Sequence, residues 1–180
     1  MNTKETLLKF EETVENYIRD LKGISLEQLL WKPAEDEWSF GQMLMHLIRS
    51  AQFMHLRNVA LCLEPDGNPE VASAGKTIQG EELFSAGSFP PDRIRVPPSP
   101  QYTPPQPESK EQLEDGLRHT VRLMAEVEPA VAAALVRNTV AHPRFGGLNA
   151  LEWFQLIEMH YRHHLLQKKR LDEAWRESHL

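Results

Sequence analysis

Two histidines one helical turn apart, His160 and His164, are the residues of this chain whose types and spacing best suit chemistry. At i and i+4 their rings stand one above the other on the same side of a helix. That is the spacing by which one helix offers two imidazoles to one metal ion. Gln167 follows one turn later and can orient a ligand or a bound water. The same pair would also serve as hydrogen-bonded core histidines, and the helix alone leaves both readings open. His163 is rotated off that face and reads as a flanking residue.

The helix that must carry them spans Leu148 to Leu171, LNALEWFQLIEMHYRHHLLQKKRL. With His160 at the origin of a helical wheel, Trp153, Leu156, Ile157, His164, Gln167 and Leu171 fall within roughly 60° of it. Two histidines and a glutamine therefore occupy the stripe that should face the core, where a packing helix carries Leu or Ala. Asn149 with Glu152 forms a capping box at the start. Lys168, Lys169 and Arg170 suit the negative end of the helix dipole.

Three further helices are expected. The first runs from about Thr3 to Leu21 and stops at Gly23. A short turn, SLEQLL, follows, then a loop holding Trp31 and Trp38. These indoles either line a pocket or, the reading preferred here, anchor the loop on the core. Ser39 caps a second helix, Phe40 to Leu63, whose apolar arc is Met43, Leu47, Met54 and Leu61 with His46 and Phe53 at one edge. His46 can thus face inward. His55, nine residues on, falls on the opposite side of a regular helix and is expected at the surface or an interface.

Ten of the thirteen prolines lie between Glu64 and Glu108. This stretch reads as an extended, partly polyproline II crossover, with a short helix at GEELFSAG. It either covers a site mouth or merely connects. Ser109 and Gln112 start a third helix at about Lys110. Pro129 is expected to break or kink it, with PAVAAALV as a separate short helix and AHPRFGGLN as a loop bearing His142. His142 reads as a turn residue. No strand pattern competes. The expected fold is all-α: a single domain over residues 1–180, a four-helix bundle with one long proline-rich crossover between helices two and three.

A net charge of −6 argues against a nucleic-acid surface and against electrostatic docking on a membrane. The N-terminus is charged from the start, so no secretory signal is expected, and no apolar run reaches spanning length. The lone Cys62 fits a reducing cytoplasm and reads as an inert buried thiol.

Bundle cores commonly build metal sites from facing helices. His46, His160 and His164 would suit Zn2+, Ni2+ or a similar divalent ion and leave positions open for water or substrate. Rival motifs fail. Tyr161, not Glu, follows His160, so there is no HExxH; paired Glu-x-x-His, Walker, GxGxxG, GxSxG and CxxC patterns are also missing.

WKPAEDEWSFGQMLMHL, followed much later by HPRFGGLNALEWFQLIEMHYRHHLLQ, resembles the DinB-like (YfiT-like) superfamily of metal-dependent enzymes. Trp38-Ser39, His46 and the later His-x-x-x-His-x-x-Gln carry the resemblance, which covers most of the chain apart from the proline-rich crossover. It implies a four-helix bundle, often dimeric, with the metal triad on His46, His160 and His164. It further implies activity like that of bacillithiol S-transferases or mycothiol-dependent maleylpyruvate isomerases, in which a metal binds a low-molecular-weight thiol. The expected protein is a cytoplasmic homodimer acting on a small-molecule substrate with such a thiol. The alternatives are a hydrolase using metal-activated water and a non-catalytic bundle that binds a ligand or partner. No protein side chain is assigned a catalytic role.

Overall fold

The computed structural model describes residues 1–64, 74–93, 99–134 and 137–180. It is mostly helical. Helix α1 spans Thr3–Gly23 and opens on a capping box of Asn2 with Glu5. Helix α2 is Leu26–Leu30, capped by Ser25. The expected second helix is α3, Phe40–Ser50, then a π-helical turn, Ala51–His55, then α4, Leu56–Leu63. Helix α5 is Ile78–Ala86 and α6 is Lys110–Ala132. The last helix divides at His164 into α7, Ala150–His163, and α8, Leu165–Ser178.

The core forms where α1 packs against α6 and α7, and α4 against α7. Its largest fully buried side chains include Phe10, Tyr17, Trp153, Phe154 and Tyr161. Tyr17 donates its hydroxyl hydrogen to the Tyr161 carbonyl at 2.6 Å, and Phe10 meets the Tyr161 ring edge to face. These contacts seat α7 on α1 and so fix the height of His160, the residue before Tyr161.

Several expectations are corrected. Helix α6 continues through Pro129 to Ala132. A proline this near the helix end removes only one of the last backbone bonds, so the helix survives it. The separate helix expected over PAVAAALV is not formed: Ala133 and Ala134 lie beyond α6, and residues 135–136 fall outside the described residues. AHPRFGGLN is a β-hairpin, not a loop, with β1, Thr139–His142, antiparallel to β2, Gly146–Asn149. The doubled glycine explains it. Gly146 adopts φ 78°, and a Cβ on Gly147 would lie 2.1 Å from the Ala74 carbonyl oxygen. The chain at 74–77 therefore lies directly on the hairpin, with Gly147 N–H donating to Gly75 and Thr77 N–H to Phe145.

Residues 65–73 and 94–98 of the expected crossover lie outside the described residues. Its last part docks on the start of α3. Gln42 donates to the Pro104 carbonyl at 2.9 Å, and the Ser39 hydroxyl donates to Gln106 at 2.7 Å while accepting the Gln42 N–H. Ser39 thus caps α3 and ties it to the returning chain. Ser39→Ala is expected to lower unfolding stability by about 1–2 kcal/mol, the usual loss of a cap plus one buried bond. Urea denaturation checks this, with a lower midpoint at an unchanged m-value.

Among the described residues no helix is long and apolar enough to cross a membrane.

Candidate metal centre

His46 comes from α3, His160 from the last turn of α7, and His164 from the junction with α8. At that junction His164 keeps φ −70° but flattens to ψ −9°, while its N–H still donates to the His160 carbonyl at 3.2 Å. The helical path is bent rather than lost, and the two rings remain on one side.

The three imidazoles meet at their Nε2 atoms. His160 Nε2 is 3.1 Å from His46 Nε2 and 3.1 Å from His164 Nε2. Two nitrogens that far apart, each about 2.0–2.1 Å from a common centre, subtend about 100° there, between the octahedral and tetrahedral angles. The residues present therefore fit a divalent metal ion. They are the cluster of potential ligands found among the described residues.

The surroundings also suit ligation. Burial pushes His46 down to about 4. Burial, then the neighbouring His46, push His164 down to about 3, against the upward pull of Gln167. His160 is driven well below the ordinary histidine range, by burial first and then by the adjacent imidazoles. All three are neutral near pH 7, the state in which an imidazole nitrogen has a lone pair to give. Gln167 Oε1 lies 2.7 Å from His164 Nδ1 and accepts its hydrogen, which leaves the Nε2 lone pair facing the cluster. Gln167 is thus hydrogen-bonded to one of the three histidines.

Two aromatic walls flank the cluster. Trp38 lies against the His46 ring with centroids 5.0 Å apart, so it borders the site instead of merely anchoring its loop. Trp31 does anchor, packing edge-on against Trp175. Phe89, from the segment after α5, contacts both His160 and His163. That segment is held by Arg162, which pairs with the buried Glu158 and donates to the Gly87 carbonyl at 2.6 Å. Arg93, further along, pairs with Glu37 beside Trp38. Phe89 and the Arg162 clasp were not legible in the sequence, because their partners lie far away along the chain.

His55 is the clear correction. Expected at the surface, it is 4 % exposed and sits behind the cluster, its ring 5.5 Å from His160 and 5.8 Å from Trp153. The π-helical turn is the reason. One extra residue per turn slips the register by roughly 100°, so His55 comes to within roughly 80° of His46 instead of opposite it. His142 lies on β1, not in a loop, and its Nδ1 accepts the Arg144 and Phe145 N–H groups across the hairpin turn. Cys62 is the inert thiol expected: it is buried, donates to the Leu148 carbonyl, and is pushed up to about 11 by that burial.

No curated protein matches this chain. A family model, that of the DinB superfamily, matches residues 9–167. The matched stretch begins within α1, ends at Gln167, and takes in His46, His160 and His164 with every helix that positions them; the chain belongs to the DinB superfamily.

Proposed function

We propose that this protein is a metal-dependent transferase that acts with a low-molecular-weight thiol, built as a single-domain four-helix bundle over residues 1–180. His46, His160 and His164 hold one divalent ion, zinc, nickel or similar. The observation that carries this reading is the convergence of three imidazoles, with His160 Nε2 3.1 Å from the Nε2 atoms of both His46 and His164 and aromatic side chains against the rings. Such an ion supplies Lewis acidity, under which a thiol ionises near neutral pH.

The rest is the work of the chain. The three histidines bind through Nε2 and leave one side open, and Gln167 keeps His164 in the required tautomer. Trp38 and Phe89 exclude water from that open side and offer flat apolar surfaces to an electrophilic small molecule. Cys62 cannot be the nucleophile, because its thiol is buried and pushed up to about 11. The attacking group is therefore a small-molecule thiol, as in the transferase reading, or water, as in the hydrolase alternative. The protein is placed in the cytoplasm and acts as a homodimer in this reading.

The test is a thiol-dependence assay. Zinc- and nickel-loaded protein is mixed with a chromogenic aryl halide, with and without small thiols such as cysteine or coenzyme A. Turnover requiring both metal and thiol is the expected result. Turnover with metal alone would make the protein a hydrolase using the same site. Stoichiometric metal without turnover in a broad panel of electrophiles would leave a non-catalytic binding bundle and overturn the transferase reading.

A further inference from the structure

Each histidine of the cluster has a second ring nitrogen, and these are not equally served. His164 Nδ1 has Gln167 at 2.7 Å. His46 Nδ1 has the Ser50 hydroxyl at 3.5 Å, the outer limit of such a bond. Among the described residues, His160 Nδ1 is buried with no partner. A ligating histidine almost always donates its other N–H to something, and that partner sets both tautomer and ring orientation.

The nearest candidate is itself unpaired. His55 Nδ1 is likewise buried without a partner, on a ring that meets His160 edge to face at 5.5 Å. Two other neighbouring rings are already committed. Trp153 donates its indole N–H to the Val140 carbonyl, and His142 Nδ1 accepts two backbone N–H groups. An unpaired buried polar atom costs about 1–3 kcal/mol, and two on adjacent rings mark a place for a shared partner. The turn that brings His55 there is a π-helical one, a form that recurs at functional sites.

We propose that His55 is a positioning residue of the metal centre: a bridging water accepts the His160 Nδ1 hydrogen and donates one of its own to His55 Nδ1, which holds His160 with its Nε2 lone pair facing His46 and His164. The inference rests on the reading that these three histidines bind a metal. It assigns to the π-helical turn a purpose, which is to set the central ligand before the ion arrives.

The experiment compares zinc dissociation constants, by chelator competition, for the parent, His55→Phe and His55→Asn. Asparagine puts a polar atom close to the place of Nδ1 but fills less space. Phenylalanine keeps the ring and its contact with Trp153 but has no polar atom. Positioning through Nδ1 predicts that His55→Phe weakens zinc binding by about 10–100-fold while His55→Asn stays within about fivefold of the parent. A packing role predicts the reverse order, and either that order or an unchanged His55→Phe overturns the inference alone. A parent that takes up no zinc overturns the metal centre itself. Nitrogen-15 imidazole spectra of the metal-free parent need no variant and decide the matter should neither variant fold. His160 is expected as the Nδ1–H tautomer with a slowly exchanging proton, and the Nε2–H tautomer would overturn the proposal.

Discussion

Purified parent protein is expected to carry about one divalent ion per chain, and His160→Ala to carry essentially none. Among the three histidines His160 is the central one, with Nε2 3.1 Å from each of the others. Removing it leaves His46 and His164 without the member that holds them around a common point. Structural zinc binding is worth about 10–16 kcal/mol in all, so one of three protein ligands supplies roughly 3–5 kcal/mol, and its loss weakens affinity by about two to four powers of ten. His46→Ala and His164→Ala should follow the same direction. Elemental analysis after dialysis reads the result, and far-ultraviolet circular dichroism shows that the helices persist. Their persistence is expected, because the core that seats α7 on α1 depends on Tyr17, Phe10 and Tyr161 and not on the cluster. Stoichiometric metal retained by His160→Ala would sink the site as drawn.

The second large effect is loss of stability in mild acid for the metal-free protein. Besides His163, which burial also lowers, five histidines are held below their ordinary value by burial: His46 and His142 at about 4, His55 and His164 at about 3, and His160 well below normal. In the unfolded chain each takes up a proton near pH 6.5. Between about 6.5 and 4 the unfolded state therefore binds more protons than the folded one, so stability rises with pH and falls on acidification. The contribution is full above about pH 7 and is lost progressively as pH falls toward the folded values.

For the fully buried His55 the loss at pH 5 is about 2 kcal/mol, which lowers Tm by roughly 4–8 °C in a chain of this size. The other four histidines act in the same direction. Thermal melts at pH 7.5, 6 and 5 on chelator-treated protein make the measurement, and His55→Phe should flatten the slope by about one proton. A Tm that stays level between pH 7.5 and 5 would mean that these rings are solvated and charged in the fold. Bound metal should sharpen the effect, since protons and the ion compete for the same lone pairs.

Helix starts were readily legible because they depend on residues three apart in the chain. Asn149 with Glu152, Ser39 with Gln42, and Ser25 all cap as their types suggest. At Ser109 the local rule was only partly followed: the serine caps α6, but Gln112 turns to the Glu108 N–H instead of closing the box. Pro129 was misjudged because its effect depends on how many helical bonds remain beyond it. The hairpin at 139–149 was missed for another reason. Its strands are short, and the glycines that permit it are explained by the chain at Ala74 and Gly75 lying against them, which no local pattern records.

From the sequence alone came the helical class, the caps, and the inward stripe of His160, His164 and Gln167, because these follow from spacing along one helix. The pairing of His46 with that stripe was suggested by its place at the inner edge of its own helix and by family resemblance. Only the tertiary structure brought three Nε2 atoms to one point, set Trp38 and Phe89 as its walls, and turned His55 from the surface to the back of the site. The physical reason is that a helical wheel assumes one constant twist. A single π-helical turn after Ser50 breaks that assumption, and its slip of roughly 100° carries every later side chain of the helix to a new face.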